Sequence, residues 1–351
     1  MKIVYTPIHG TGLKLIPRSL ANYGFTNIIG VPEQEVLSGD FPTVASPNPE
    51  EPSAMAMAIE KAKETGAEVV MASDPDADRI GLVIRDNNGE YVLINGNQIV
   101  MIFLNYLMTR NTELGTLTGN EYIVKTIVTT ETIRTIAEAQ HIKMYDCFTG
   151  FKWIANVMRE NEGKARYLGG GEESYGFLAE DFVRDKDSVS AISLMAEIAA
   201  WAKDKGLNMT DMLIDIYMKY GFSREKGISL VRKGKSGAEE IIALMKQFRE
   251  NPPKEIAGSP VVTVKDFQSL VETNVATGET KKLDMPATSN VLQYYTADRT
   301  KVSVRPSGTE PKIKFYIEVH DTLASADEYK ATEARADEKI GRIAKEFGIT
   351  K

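Results

Sequence analysis

Asp74, Asp76 and Asp78 alternate in the segment Ser73-Asp-Pro-Asp-Ala-Asp-Arg79, which follows an apolar run at residues 68–72 that reads as a buried strand. Three carboxylates so close together converge only where positive charge offsets their repulsion, and a hard divalent cation with oxygen ligands does so. Mg²⁺ suits such a set, and Arg79 adds a fixed cation beside it. The loop is not an EF-hand, which needs Gly at its sixth position and Glu at its twelfth, where this chain has Arg79 and Arg85. A solvated acidic turn would use the same Asp and Pro residues for their turn chemistry.

Three further segments could do chemistry. In Gly169-Gly-Gly-Glu-Glu-Ser-Tyr-Gly176 the glycines allow close backbone approach to a ligand. Glu172 and Ser174, two residues apart, can face one side and hydrogen-bond vicinal hydroxyls, which suits a sugar. The spacing of a dinucleotide fingerprint is absent. In Arg305-Pro-Ser-Gly-Thr-Glu-Pro-Lys-Ile-Lys314 a guanidinium, the hydroxyls of Ser307 and Thr309, the mobile backbone of Gly308 and the cation of Lys314 read as a nest for one phosphate. In Phe148-Thr-Gly-Phe-Lys-Trp153, Thr149 and Gly150 open a helix that can receive a polar ligand, with Lys152 as a cation among aromatics; a stapled helix start has the same composition. Lys186 lies in a charged turn before a helix, and at the border of a pocket a lowered pKa would let it transfer protons. His9, His141 and His320 do not form a metal set by spacing.

The elements that must position these loops alternate apolar β-branched runs with segments of helical period, the pattern of α/β domains. The expected fold is α/β: two mixed-sheet α/β domains of similar order, then an α+β C-terminal domain. Boundaries are expected in the polar stretch 111–120 and the basic Gly/Ser stretch 233–237. That gives 1–114 with the metal loop, 115–234 with the sugar loop and 235–351 with the phosphate loop.

Composition narrows the function. The 351 residues carry 42 Lys+Arg against 49 Asp+Glu, a net charge of −7, which argues against a general nucleic-acid binder. Any anion bound here should be small and locally held. Cys147 stands alone, so no internal disulfide forms, and a reducing cytoplasm is the expected location. No apolar run approaches the roughly 20 residues of a membrane span, Asn105 interrupting the greasiest stretch, and no leader pattern opens the chain.

Taken in order, Thr6-Pro-Ile-His-Gly-Thr-Gly12, Asp74-Pro-Asp-Ala-Asp-Arg79, Gly171-Glu-Glu-Ser-Tyr-Gly176 and Arg305-Pro-Ser-Gly-Thr309 resemble the α-D-phosphohexomutase family, its phosphoglucomutase branch in particular. The resemblance covers essentially the whole chain. It implies four domains around a cleft, and conversion of a sugar 1-phosphate to the 6-phosphate through a phosphoserine and a bisphosphate intermediate. It implies Asp74, Asp76 and Asp78 as Mg²⁺ ligands and Arg79 beside the phosphoserine. Glu172 and Ser174 would hold the sugar hydroxyls, with Thr149 and Gly150 in the sugar loop. Arg305, Ser307, Gly308, Thr309 and Lys314 would hold the non-transferring phosphate, and Lys186 matches a general acid/base. The implied cofactors are Mg²⁺ and glucose 1,6-bisphosphate; the implied partners are hexose phosphates, with no nucleic acid and no membrane.

One departure concerns the nucleophile, which in this family lies in a first domain, in a loop similar to Thr-Ala-Ser-His-Asn-Pro. This sequence starts at what resembles the first strand of the second domain. The near match Val44-Ala-Ser-Pro-Asn-Pro49 also resembles a second-domain stretch, and its prolines suit a plain connection, so Ser46 is not expected to be the nucleophile. The expectation is domains two to four of a mutase, inactive alone. A non-catalytic sugar-phosphate sensor is the alternative. An aspartyl-nucleophile phosphatase, suggested by Asp74-x-Asp76 after a strand, leaves the sugar loops unexplained.

Overall fold

In the computed structural model, which describes residues 1–232, 234–308 and 310–349, β1 (Ile3–Thr6) is buried along its whole length. It is followed by α1 (Ile16–Asn22), β2 (Ile28–Gly30), α2 (Pro52–Thr65), β3 (Val69–Ser73), β4 (Ile80–Arg85), β5 (Tyr91–Ile94) and α3 (Gly96–Glu113). Parallel strands covered on both faces read as continuous apolar runs, and β1 and β3 do so. The strand order is β2-β1-β3-β4-β5, the first three parallel and the last two antiparallel. Helix α2 has Pro at its first turn, buries Ala54, Met55, Ala58 and Ala62 against this sheet, and ends at Gly66, whose φ of 65° is the left-handed stop that glycine supplies. Helix α3 starts at a capping box in which Asn95 and Gln98 exchange side-chain and backbone hydrogen bonds.

The second sheet comes from β6 (Glu121–Thr126), α4 (Thr132–Ala139), β7 (Lys143–Cys147), α5 (Phe151–Asn161), β8 (Arg166–Gly171) and β9 (Phe177–Ala179), in the order β7-β6-β8-β9, with only β9 antiparallel. Helix α6 (Ser188–Asp204) follows, then α7 (Met209–Tyr220). Helix α6 packs on α1 and on β3 and β4 as well as on β9, so it joins the two sheets. The chain folds as two compact units, Met1–Ile216 and Tyr217–Lys351, and both of these sheets lie in the first.

The second unit is built on β10 (Phe222–Val231), α8 (Gly234–Glu250), β11 (Glu255–Ile256), β12 (Ser259–Asp266), β13 (Val271–Asn274), β14 (Thr280–Lys282), β15 (Leu292–Thr296), β16 (Lys301–Pro306), β17 (Lys312–Asp321) and α9 (Tyr329–Glu346). Its antiparallel sheet runs β10-β17-β16-β15-β12-β13-β14, with β11 on β12. Alternate residues Val302, Val304, Ile313, Phe315 and Ile317 are buried, and α8 and α9 lie against these strands, with Phe248, Phe315 and Phe347 in mutual ring contact. The α/β then α+β architecture follows the expected one. Cys147 is buried and unpaired, and among the described residues no helix is long and apolar enough to cross a membrane.

The glycine run departs from the expected loop. Gly169, Gly170 and Gly171 belong to β8, where a Cβ would lie 3.0 Å from Leu107 Cδ1, 2.7 Å from the Val124 carbonyl and 2.6 Å from Val100 Cγ2 respectively. These glycines make room for α3 and the neighbouring strand.

Candidate active site

The carboxylate loop is closed by its own first residue. Asp74 Oδ1 accepts the backbone N–H groups of Asp78 at 3.0 Å and Arg79 at 2.9 Å, while Ala77 turns through a φ of 60°. One oxygen from each of Asp74, Asp76 and Asp78 lies within 4.8 Å of the others. Asp74 is 3% exposed. Burial, the nearby carboxylates of Asp78 and Asp76 and a bond to Asp76 raise its pKa to about 7, against the lowering effect of the Arg79 N–H. Asp78 Oδ1 is buried without a hydrogen-bond donor among the described residues. A compact all-oxygen set with an unsatisfied buried oxygen and destabilised negative charge is what a hard cation such as Mg²⁺ fits. The Arg79 guanidinium supplies positive charge nearby, with Nε 3.2 Å from Asp74 and 3.7 Å from Asp78, and Nη1 3.8 Å from Glu50.

Lys186 reaches the loop because α6 is fastened to it. Asp187 caps α6 by accepting the N–H groups of Val189 and Ser190, and Ser188 donates both its amide and its hydroxyl to the Ala77 carbonyl. Lys186 Nζ then lies 2.8 Å from Asp78 Oδ2 and 3.2 Å from Asp185 Oδ1. Partial burial works against its charge, but these carboxylates outweigh burial and its pKa rises. The lowered pKa anticipated for Lys186 at a pocket edge is therefore not found, because an ion pair, not an apolar wall, surrounds the ammonium.

The segment Gly171–Gly176, the expected sugar loop, adjoins the carboxylate loop. Ile80 N–H donates to the Tyr175 carbonyl at 3.1 Å, and Arg79 forms a single β-bridge with Gly176. A Cβ on Gly176 would fall 2.4 Å from Lys186 Cδ, so glycine makes room for the lysine stem. Glu172, 5% exposed, accepts the Gly150 N–H at 2.8 Å, which joins the two halves of the expected sugar site at the start of α5. Burial first, then the charge of Glu173, raises the pKa of Glu172 to about 7, with the Gly150 N–H, Lys186 and Arg79 opposing. Ser174 and Thr149 are half-buried. Lys152 is exposed and lies 5.5 Å from the ring of its neighbour Trp153, while Phe148, two residues before the Gly150 N-cap, meets that ring edge-on.

Sequence reasoning passed over the supports. Glu173 accepts hydroxyl hydrogen bonds from Thr126 at 3.0 Å and Thr129 at 3.3 Å, which pins the segment Gly171–Gly176 to the end of β6. Lys125, wholly buried, pairs with Glu131 and Asp146 beneath the strand ends. The only local signal was polar residues inside an otherwise apolar strand.

In the second unit Arg305 and Lys314 are direct cross-strand partners on β16 and β17, both half-buried, and neither has an ion-pair partner among the described residues. Ser307 N–H donates to the Lys312 carbonyl and Ser307 Oγ accepts from Glu310 N–H, closing the turn around exposed Gly308. Thr309 lies outside the described residues.

Sequence patterns described as Phosphoglucomutase/phosphomannomutase alpha/beta/alpha domain II, alpha/beta/alpha domain III and C-terminal domain match residues 1–89, 95–220 and 252–345 in that order. The chain belongs to the phosphoglucomutase/phosphomannomutase family. A phosphoglucomutase of Staphylococcus haemolyticus is 35% identical over 320 residues, covering 91% of this chain and 57% of the relative. One from Staphylococcus aureus is 34% identical over 317 residues, covering 90% and 56%. The chain thus spans little more than half the length of these curated relatives. Among solved structures, a family protein from Burkholderia thailandensis superposes with a TM-score of 0.63 at 19% identity, over 99% of this chain and 61% of its own. The open form of the Paramecium phosphoglucomutase parafusin gives 0.63 at 16% identity, over 98% and 58%. At these identities the family members share the fold.

Proposed function

We propose that the chain carries the metal, sugar and phosphate loops of a phosphohexomutase that interconverts glucose 1-phosphate and glucose 6-phosphate. The observation that supports this most is the tie between two loops. Lys186 runs past Gly176 of the sugar loop to Asp78 of the carboxylate loop, and Tyr175 and Ile80 share a backbone hydrogen bond.

Held by Asp74, Asp76 and Asp78, Mg²⁺ would supply charge neutralisation for a phosphoryl group in flight. Arg79 adds fixed positive charge on the same side. Glu172 and Ser174, with Thr149 and Gly150, orient the sugar through its hydroxyls. Arg305, Ser307, Gly308, Thr309 and Lys314 bind the non-transferring phosphate, so that remote binding energy orients the reacting end. Lys186, charged at neutral pH, donates a proton or stabilises negative charge on an oxygen better than it removes a proton. In the reaction the sugar hydroxyl oxygen bonds to phosphorus of a phosphoserine as the bond from phosphorus to the serine oxygen breaks, and the hydroxyl proton passes to that oxygen. The 1,6-bisphosphate turns over and returns its other phosphoryl group to the serine. Ser46 is not assigned as that serine.

The test combines calorimetric titration of glucose 1-phosphate and glucose 6-phosphate, with and without Mg²⁺, with a coupled mutase assay primed by glucose 1,6-bisphosphate. Binding of both sugars that is weakened at least tenfold in Glu172→Gln and Arg305→Ala, without turnover by residues 1–351 alone, is expected. Absence of binding under every condition refutes the reading, and turnover accompanied by a phosphate on Ser46 in the intact mass reassigns the nucleophile.

A further inference from the structure

The segment Thr6–Gly12 has no part in the chemistry above, yet it holds the most contorted backbone near the carboxylate loop. Ile8 and His9 follow one another at φ values of 45° and 64°, both buried. The left-handed region is costly for any residue with a Cβ and most costly for a β-branched one. Such a conformation persists only where surrounding contacts over-determine it, and it clusters at functional sites.

His9 supplies those contacts. Its N–H donates to the Gln34 carbonyl at 2.9 Å and its carbonyl accepts the Ser38 N–H at 3.3 Å. The ring spans the same segment, with Nδ1 2.8 Å from the Val36 carbonyl and Nε2 2.8 Å from Thr43 Oγ1. A carbonyl only accepts, so Nδ1 carries a proton. Thr6 Oγ1 donates to Gln34 Oε1 at 2.7 Å and accepts the Ile8 N–H at 3.2 Å, closing the ring of bonds behind the turn.

The far side of the turn bears on the carboxylate loop. Thr11 donates its N–H and its hydroxyl to the Pro75 carbonyl at 2.9 and 3.0 Å. A Cβ on Gly10 would lie 2.4 Å from Pro75 Cα, and one on Gly12 2.5 Å from Ser73 Oγ, which itself pairs with the Tyr5 hydroxyl at 2.9 Å. The carboxylate loop therefore rests on a turn whose shape depends on the imidazole.

We propose that His9 is a positioning residue for the carboxylate loop: it holds the Ile8–His9 corner in the left-handed region, so that Gly10 and Thr11 fix Pro75 and, through it, the spacing of Asp74, Asp76 and Asp78. Its consequence for Mg²⁺ rests on the reading of that loop as a metal site; its consequence for loop order does not.

Amide hydrogen exchange on the metal-free protein tests it. In His9→Ala the amides of Asp78 and Arg79, which donate to Asp74, should exchange at least tenfold faster, while Ile123 and Val124 of β6 stay within twofold of the parent. His9→Asn, which tolerates the left-handed region and keeps a donor for Val36, should recover most of the protection. Equal protection in His9→Ala, or acceleration that reaches β6 to the same degree, overturns the proposal. Should His9→Ala not fold, exposed Thr11→Val decides, with about threefold faster exchange at the same two amides expected and no change overturning it.

Calorimetry with MgCl₂ is the second arm, with a Kd at least fivefold weaker expected in His9→Ala. If the parent's Mg²⁺ heat survives Asp76→Asn, the metal reading fails and the exchange result stands alone. If that heat needs Asp76 but the Kd of His9→Ala equals the parent's, the positioning role fails.

Discussion

Lys186 Nζ and Asp78 Oδ2 stand 2.8 Å apart across two loops separated by more than a hundred residues, and both side chains are largely shielded from solvent. The ammonium thus offsets the charge of a carboxylate that a metal ion would also bind. Two unit charges at about 3 Å interact by about 5 kcal/mol at an effective dielectric of about 20, and solvent and desolvation remove most of that. Replacing Lys186 by Met should therefore tighten Mg²⁺ binding by about fivefold while weakening hexose phosphate binding. Titrations of the same variant with MgCl₂ and with glucose 6-phosphate check the opposed signs; a Kd for Mg²⁺ that rises instead would show that Lys186 orients the loop rather than competing for it.

Glu172 makes stability depend on pH. Its carboxyl ionises near pH 4.5 when unfolded and at about 7 when folded, so the folded state holds the extra proton between those values. Stability from this group is complete below pH 4.5 and declines as pH rises through 7. At about 1.4 kcal/mol per tenfold change in the protonation equilibrium, the loss approaches about 3 kcal/mol. Asp74 contributes in the same direction. Thermal melts from pH 5 to pH 8 should show a falling Tm, and Glu172→Gln should flatten but not abolish the slope. An unchanged slope in the variant contradicts the burial argument.

Arg305 and Lys314 face each other across β16 and β17, and neither has an ion-pair partner among the described residues. Charge-assisted hydrogen bonds to a phosphate are worth about 1.5–3 kcal/mol each. Arg305→Ala should weaken glucose 6-phosphate binding by about 10- to 100-fold, and Arg305→Lys, which keeps charge but loses the bidentate fork, by less. Affinity that is unaffected by either change would remove the phosphate role from this turn.

Gly171 lies under α3 with no room for a methyl group, a Cβ meeting Val100 at 2.6 Å and the Gly176 carbonyl at 2.9 Å. Overpacking of this kind costs about 1–3 kcal/mol. Gly171→Ala should lower the Tm by several degrees, as differential scanning calorimetry reads it. A variant as stable as the parent would mean that α3 yields easily and that the close approach does not require glycine at this position.

The sequence by itself determined which residue types stand together in each loop and most of the elements that carry them. Alternating carboxylates after an apolar strand, a guanidinium with hydroxyls around Gly308, and the helical period of Pro52–Thr65 are local signals, because ligand type and secondary structure depend on residues a few positions apart. Tertiary structure decided what those signals share. That Ser188 fastens α6 to Ala77, that Lys186 meets Asp78, and that the glycines of β8 serve α3 all depend on contacts between residues far apart in the chain. The direction of the Lys186 pKa shift is the clearest case: burial and ion pairing push an ammonium in opposite directions, and only the distance to a carboxylate decides which prevails.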